Sequence, residues 1–461
     1  MLVFRLPVEA AIHSETAGAS MQQLWNVITA VLLWLAMTLQ AGAVTLIRDA
    51  DIEYALSELA RPILQAAGLS PASVRVMIIQ DDTMNAFILD NSHIFIHSGL
   101  MLRMTDAAML QSVIAHEAAH IANGHIARRS QNMARANTIT GLGIALAAAA
   151  AAASGRSELA GVGLGVSNSA RRVFMSHTRS EEAAADNDGL RYMERAGIDT
   201  RGFTEVLNLF RGQEVLAEQR QDPYARTHPL SRDRLRAVEA YIQARRGEVA
   251  PDPAAQYWFA RVNGKLSSFL RAPRWTLDRV RQSATPDIAL MREAIAWHRT
   301  PDPRRAIAAV DKLVAMRPQD AYVHDLRGQI LLESRQFPAA VNAYRQAAAL
   351  APRNALIQAG YGRALLAADQ PQAALQALSA SRDRDFRNGA MLRDLGVAYA
   401  KAGQAGMASL VTAERFALSG RLDDALIHAT RAAGLLPRGS TSYNRAQDVI
   451  FAAETAAKQR R

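Results

Sequence analysis

TDAAMLQSVIAHEAAHIANGHIARR, residues 105–129, decides how the rest of the chain is read. Its apolar residues recur at helical spacing and Thr105 stands where a cap is expected, so the stretch reads as one helix. In a helix, positions i and i+4 share a face, so His116 and His120 can aim an imidazole nitrogen each at a single ion. Glu117 stands one step around and can reach a water on that ion. The competing reading is a pair of surface histidines.

A catalytic zinc needs three protein ligands and one open position. The chain has no cysteine, so the third ligand must be His, Asp or Glu. The helical stretch 179–195 offers SEEAAAD, residues 180–186, with Glu182 and Asp186 again at i and i+4. If Glu182 is a ligand, Asp186 lies one turn on and can accept the free N–H of a metal-bound histidine, fixing its tautomer. Spacing alone leaves this beside an ordinary solvated acidic helix start. His228, in Thr227-His228-Pro229-Leu230 with Arg234 after it, reads either as a turn residue, as an extra ligand, or as a donor to the transition state.

Upstream, residues 49–67 read as an amphipathic helix opening at an Asp cap, and 73–80 as a strand. Asn85–Leu89 and His93–His97 flank Asp90-Asn91-Ser92, a hairpin signal. An edge strand in this hairpin can pair with an extended peptide through its main chain, with Asn85, Ala86 and Phe87 as the contact residues. A plain hairpin without a ligand is the alternative.

At the start of the chain, the uncharged run 24–39 is followed by Ala41-Gly42-Ala43, a small-x-small pattern. Together these read as a secretory signal peptide over 1–43, or as an uncleaved membrane anchor. Residues 138–170 are rich in Ala and Gly, with seven consecutive alanines from Ala147 to Ala153. Such weakly hydrophobic residues favour a buried or mobile helical hairpin over a membrane hairpin. The Pro- and charge-rich stretch 245–253 reads as a domain boundary.

Beyond it the chain repeats. Gly328, Gly362 and Gly396 are 34 apart, as are Ala306, Ala340 and Ala374, and Pro318 and Pro352. A 34-residue period with small residues where helices cross is the tetratricopeptide signature. Units at 287–320, 321–354 and 355–388 are clearest, and such an array presents a concave surface to a protein partner.

The 461 residues exceed one ordinary core, and the 49% hydrophobic content excludes a mainly disordered chain. The net charge of +10 is spread along the chain and reads as a solvated basic surface near anionic membrane. No basic helix or aromatic-studded basic strand stands out, so nucleic acid is not an expected partner. The absence of Cys rules out disulfides and thiolate chemistry and suits an oxidising compartment.

Taken in order, NAF (85–87), GLM (99–101), HEAAHIANGH (116–125), EAAAD (182–186) and HPLSRDR (228–234), with repeats behind them, resemble the HtpX-like zinc endopeptidases, the group that includes the prenyl-protein endopeptidases. The resemblance implies one zinc per chain on His116, His120 and Glu182, with Glu117 as general base and Asp186 supporting a ligand. It further implies that His228 is a gating histidine able to take the open position at rest, and that Arg234 pins that loop. His125 matches a recurrent position for which no role is expected, and the Ala-rich insert departs in composition from the family.

The expected fold is an α+β zincin-like metalloprotease domain, mostly helical with a small sheet, followed by an all-α tetratricopeptide solenoid. The expected divisions are a leader at 1–43, the protease at 44–250, a helical linker at 251–286, repeats at 287–440 and a tail at 441–461. The expected function is periplasmic cleavage of unfolded or misassembled envelope proteins at the inner or outer membrane. The resemblance points to the β-barrel assembly machinery or a stalled barrel as the repeat partner. The alternative is a chaperone or adaptor that works through its repeats with a latent protease site.

Overall fold

A computed structural model of the chain describes residues 45–127, 178–213, 220–228, 232–245 and 249–459. The leader, the Ala-rich insert and residues 229–231 of the HPLSRDR motif lie outside the described residues. Within these, no helix is long and apolar enough to cross a membrane.

The chain enters through β1 (Thr45–Ile47) and α1 (Ala50–Ala66). The Asp49 side chain caps α1 by accepting from the amides of Asp51 and Ile52. Then come β2 (Arg75–Gln80), β3 (Ala86–Asp90) and β4 (His93–His97). Among the described residues these strands form one sheet in the order β1-β2-β4-β3. The hairpin pairs β3 with β4 antiparallel, whereas β2 and β4 run parallel, which puts β3 on the sheet edge.

Alternation along the strands sorts the side chains by face. Val76, Ile78, Ile88, Ile94 and Ile96 enter the main core with Leu56, Leu59 and Ile63 of α1, while Met77, Ile79 and Phe95 cluster on the other face. After the short α2 (Ser98–Met101) comes α3 (Ala107–Ala122), which is buried almost all round. The cap of α3 is Asp106, which accepts from the Met109 amide; the expected Thr105 cap is off by one residue. The helix also stops short of residue 129, because Gly124 turns the chain at φ +65°.

The next helices are α4 (Arg179–Arg195), α5 (Arg201–Leu209), α6 (Pro223–Thr227) and α7 (Arg232–Gln243). A capping box of Thr178 and Glu181 opens α4, each side chain satisfying the other's backbone amide.

The expected linker contains α8 (Pro253–Leu270), a packed helix. Its Phe259, Val262 and Leu266 belong to the same core as α1 and α3, and its Tyr257, Ala260 and Phe269 pack against the first repeat. Arg261 pairs with Asp51 at 2.8 Å and with Asp320 at 2.6 Å, and Lys265 pairs with Asp49 at 2.8 Å.

After α9 (Pro273–Leu277), helices pair in sequence: α10 (Pro286–Arg299) with α11 (Pro303–Met316), α12 (Ala321–Glu333) with α13 (Phe337–Leu350), and α14 (Ala355–Ala367) with α15 (Pro371–Arg382). The array continues through α16 (Gly389–Lys401), α17 (Ala405–Leu418), α18 (Leu422–Leu435) and α19 (Thr441–Gln459). Second helices start at 303, 337, 371 and 405, a spacing of 34 that makes this a tetratricopeptide array. Ala306, Ala340 and Ala374 are fully buried at the crossings. A methyl group on Gly328 would lie 2.6 Å from the Tyr344 ring, so α12 and α13 approach too closely for a larger residue.

Candidate metal centre

Three elements far apart in sequence meet at one buried point. The central helix α3 brings His116, Glu117 and His120, α4 brings Glu182 and Asp186, and the end of α6 brings His228. All six side chains are buried. Gly189, one turn beyond Asp186, lets α4 close on α3: a Cβ there would already lie 3.3 Å from the His116 amide nitrogen.

The Nε2 atoms of His116 and His120 are 3.1 Å apart. Glu182 places its Oε1 3.3 Å from His120 Nε2 and its Oε2 3.5 Å from His116 Nε2. His228 Nδ1 is 3.2 Å from His116 Nε2 and 3.0 Å from Glu182 Oε1. Zinc–ligand bonds of about 2.0–2.1 Å put the corners of a tetrahedron about 3.3 Å apart. These spacings therefore match the edges of a four-coordinate metal site, and the four donors lie within 4.8 Å of one another. The donor set, imidazoles and one carboxylate without sulfur, suits a borderline divalent metal rather than calcium or magnesium.

Around these donors stands a ring of support. His116 Nδ1 lies 3.1 Å from Asp186 Oδ1, the carboxylate–imidazole pairing that fixes a ligand's tautomer. His120 Nδ1 lies 2.7 Å from Nδ1 of His125, which the Gly124 turn brings back toward α3. The Arg234 guanidinium engages α4, donating to Asp186 at 2.7 Å twice and lying 2.7 Å from Glu182 Oε2; residues 229–231 of the loop it is expected to pin lie outside the described residues.

Burial alone would lower the His116 imidazole, but Asp186 and Glu182 outweigh it and raise the group to about 10. His120 goes the other way, held well below its usual value by burial and by His116 and His228. Burial would raise Glu182, yet His228 and Arg234 keep it ionised well below the usual carboxylate range. The same contest, won by His116 and Arg234, lowers Asp186. The cluster is thus built to hold positive charge between two ionised carboxylates.

The edge strand β3 runs beside α3. Asn85, just ahead of it, gives its carbonyl to the His97 amide at 2.9 Å, and its side-chain Oδ1 is buried without a hydrogen-bond donor. Ala86 faces the core, and Phe87 packs on the outer sheet face beside Phe95.

Sequence reasoning left His125 without a role and did not single out Phe210 or Tyr224. The Tyr224 ring stacks on His228 with centroids 4.5 Å apart, and the Phe210 ring stacks on Tyr224 at the same distance. The return of His125 was signalled by Gly124, but nothing in the spacing of Phe210 and Tyr224 pointed to the site.

Two histidines at i and i+4 on a buried helix, facing a carboxylate from a second helix with a glutamate beside them, define a metal-dependent peptidase domain; the chain is a metalloendopeptidase. Residues 47–242 match Peptidase family M48, so this stretch is an M48 domain. The chain is 26% identical over 415 residues to the beta-barrel assembly-enhancing protease of Escherichia coli (strain K12), covering 88% of this chain and 83% of that protein. It is 28% identical over 200 residues to metalloprotease LoiP of the same organism, covering 43% and 74% of the two chains. The mitochondrial metalloendopeptidase OMA1 of Danio rerio is 27% identical over 200 residues, covering 42% and 41%. Among solved structures, a MamA double mutant overlays with a TM-score of 0.32 and 20% identity, covering 36% of this chain and 94% of that one.

Proposed function

We propose that the chain is a zinc endopeptidase of the cell envelope that cleaves unfolded or misassembled proteins, with the repeats capturing a partner of outer-membrane β-barrel assembly. The observation that carries the chemistry is the 3.1 Å approach of His116 and His120 Nε2 with Glu182 within 3.5 Å of both. The β-barrel context rests on the likeness to the assembly-enhancing protease along most of both chains. Periplasmic residence rests on the leader read at 1–43.

In this reading His116, His120 and Glu182 hold one zinc, with Asp186 and Arg234 bracing them. Zinc bound there supplies Lewis acidity to the scissile carbonyl and a water that ionises near neutral pH. Glu117, buried on the same helix turn, takes the proton of the attacking water and returns it to the leaving amine. No side chain acts as nucleophile, so no acyl-enzyme forms. The open edge of β3 at 85–87 pairs with extended substrate, and the buried Asn85 Oδ1 is an acceptor kept for a substrate N–H. Backbone pairing reads extended shape rather than sequence, which suits unfolded clients. His228 takes the fourth donor position at rest and leaves it for substrate. We assign 44–250 to the protease domain, 251–286 to the linking helices and 287–440 to the repeats.

The deciding experiment is digestion of casein by purified protein, with zinc content measured in parallel. Chelator stops cleavage, and Glu117→Gln lowers it by about 10²–10⁴-fold while zinc stays bound. Full activity in Glu117→Gln removes the base from this mechanism.

One observation favours a second reading. His228 completes the donor set, as a latent site would have it. In that case the repeats act as a chaperone or adaptor, and Glu117→Gln fully complements a deletion strain.

A further inference from the structure

We propose that Tyr224 is the positioning residue that holds His228 at the metal donors, anchored behind by Phe210 and ahead by Met84. This rests on reading His228 as the resting fourth donor.

Three rings form a column. Phe210 stacks on Tyr224, and Tyr224 on His228, each pair with centroids 4.5 Å apart and planes inclined by 25°. All three are buried, and Phe210 belongs with Tyr224 to the main core. The end of the column away from the metal donors is therefore fixed. The backbone supports the same placement: the His228 amide donates to the Tyr224 carbonyl at 2.7 Å, and Thr227 Oγ1 donates to the Pro223 carbonyl at 3.0 Å. The hexapeptide from 223 to 228 is thus one stiff turn with Tyr224 and His228 on the same side.

What ties this turn to the rest of the protein is specific. The Tyr224 amide donates to the Met84 carbonyl at 3.2 Å, and Asp222 Oδ1 accepts from the Met84 amide at 3.3 Å. Gln213 holds Asp222 from behind, accepting from its amide and donating to its Oδ2, both at 3.0 Å. Met84 immediately precedes Asn85–Phe87, so the hold on His228 begins at the strand proposed to pair with substrate. These two bonds are longer than the usual 2.9–3.0 Å, which makes the tie to the strand the weaker of the two anchors. No group in this arrangement need touch substrate. Tyr224 acts through His228, and its contribution is geometric: a flat ring that holds the plane of the imidazole, inclined to it by 25°.

The test uses the full chain loaded with Co²⁺, whose visible absorption reports the donors around the metal. His228→Ala defines the spectrum of the site without its fourth donor. Tyr224→Leu keeps bulk but removes the stacking face, and moves the spectrum toward that of His228→Ala, shifting the His228-bound fraction by roughly tenfold. Tyr224→Phe keeps the ring and the parental spectrum. In the His228→Ala background, Tyr224→Leu adds nothing to the spectrum or to casein turnover. Should Tyr224→Leu fail to fold, Asp222→Ala, which removes the Met84 amide bond and the Gln213 bond to Oδ2 but leaves the ring column whole, gives a smaller shift in the same direction. A parental spectrum in a folded, cobalt-loaded Tyr224→Leu or Asp222→Ala protein overturns the proposal. So does an undiminished effect of Tyr224→Leu in the His228→Ala background, which marks a purely structural role. An unchanged spectrum in His228→Ala itself overturns the fourth-donor reading beneath it.

Discussion

Arg234 grips Asp186 with two parallel donors, Nε to Oδ2 and Nη2 to Oδ1, each at 2.7 Å and both residues buried. Its remaining nitrogen Nη1 lies 2.7 Å from Glu182 Oε2, so one guanidinium balances two carboxylates on α4. Arg234→Ala leaves both carboxylates buried beside each other without that cation. Breaking such a pair costs about 3–5 kcal/mol, to be read as a lower denaturation midpoint of the metal-free protein. Arg234→Lys recovers only part of this, because an ammonium cannot present the fork. A variant as stable as the parent shows that the pairing is dispensable.

The Asp186 carboxylate orients His116 through Nδ1. Asp186→Asn keeps the shape and loses the charge. Metal affinity measured by competition with a chromophoric chelator falls about 10–100-fold, the usual effect of losing such a support, while the helices remain intact by circular dichroism.

Asp325 of α12 carries the clearest pH signature outside the metal centre. Burial raises its carboxyl to about 7, with Asp49 and Asp51 adding to the rise and Lys265 opposing it. The folded state therefore holds this proton where the unfolded chain has released it, so stability falls as pH climbs from about 4 to 7 and levels off above. Asp325→Asn raises the melting temperature at pH 8 and changes it little at pH 4. A gain of the same size at both pH values contradicts the assignment.

Gly328 has no room for a methyl group against Tyr344. Gly328→Ala forces α12 from α13 and destabilises the repeats by about 1–3 kcal/mol, read by denaturant unfolding. Metal content is unchanged, because neither helix contributes a donor.

How much of this was legible depended on the range of the interactions. HEAAH and SEEAAAD could be read because a helix alone places i and i+4 on one face, whatever packs around it. The β3–β4 hairpin was legible for the same reason, as was the 34-residue period, which any stack of like units must repeat. The parallel pairing of β2 with β4 was not legible, since it joins strands separated by β3. Thr105 and Asp106 are adjacent residues that both cap well, and only backbone geometry selects Asp106. The grip of Arg234 on α4 was not legible, since only folding brings its guanidinium to the buried Glu182 and Asp186. Phe210, Tyr224 and His228 meet through stacking between segments whose spacing has no period to reveal it.

Because α8 lends one flank to each half of the molecule, a cut at residue 250 does not release two intact pieces. The N-terminal fragment is left with a bare wall where Phe259, Val262 and Leu266 had sat. The C-terminal one carries Lys265 away from Asp49 and Arg261 away from Asp51, which leaves Arg261 with Asp320 alone and takes from Lys265 its closest carboxylate. Whatever the repeats catch is therefore presented to the scissors at a bearing set by this one helix, as a handle is fixed to its blade.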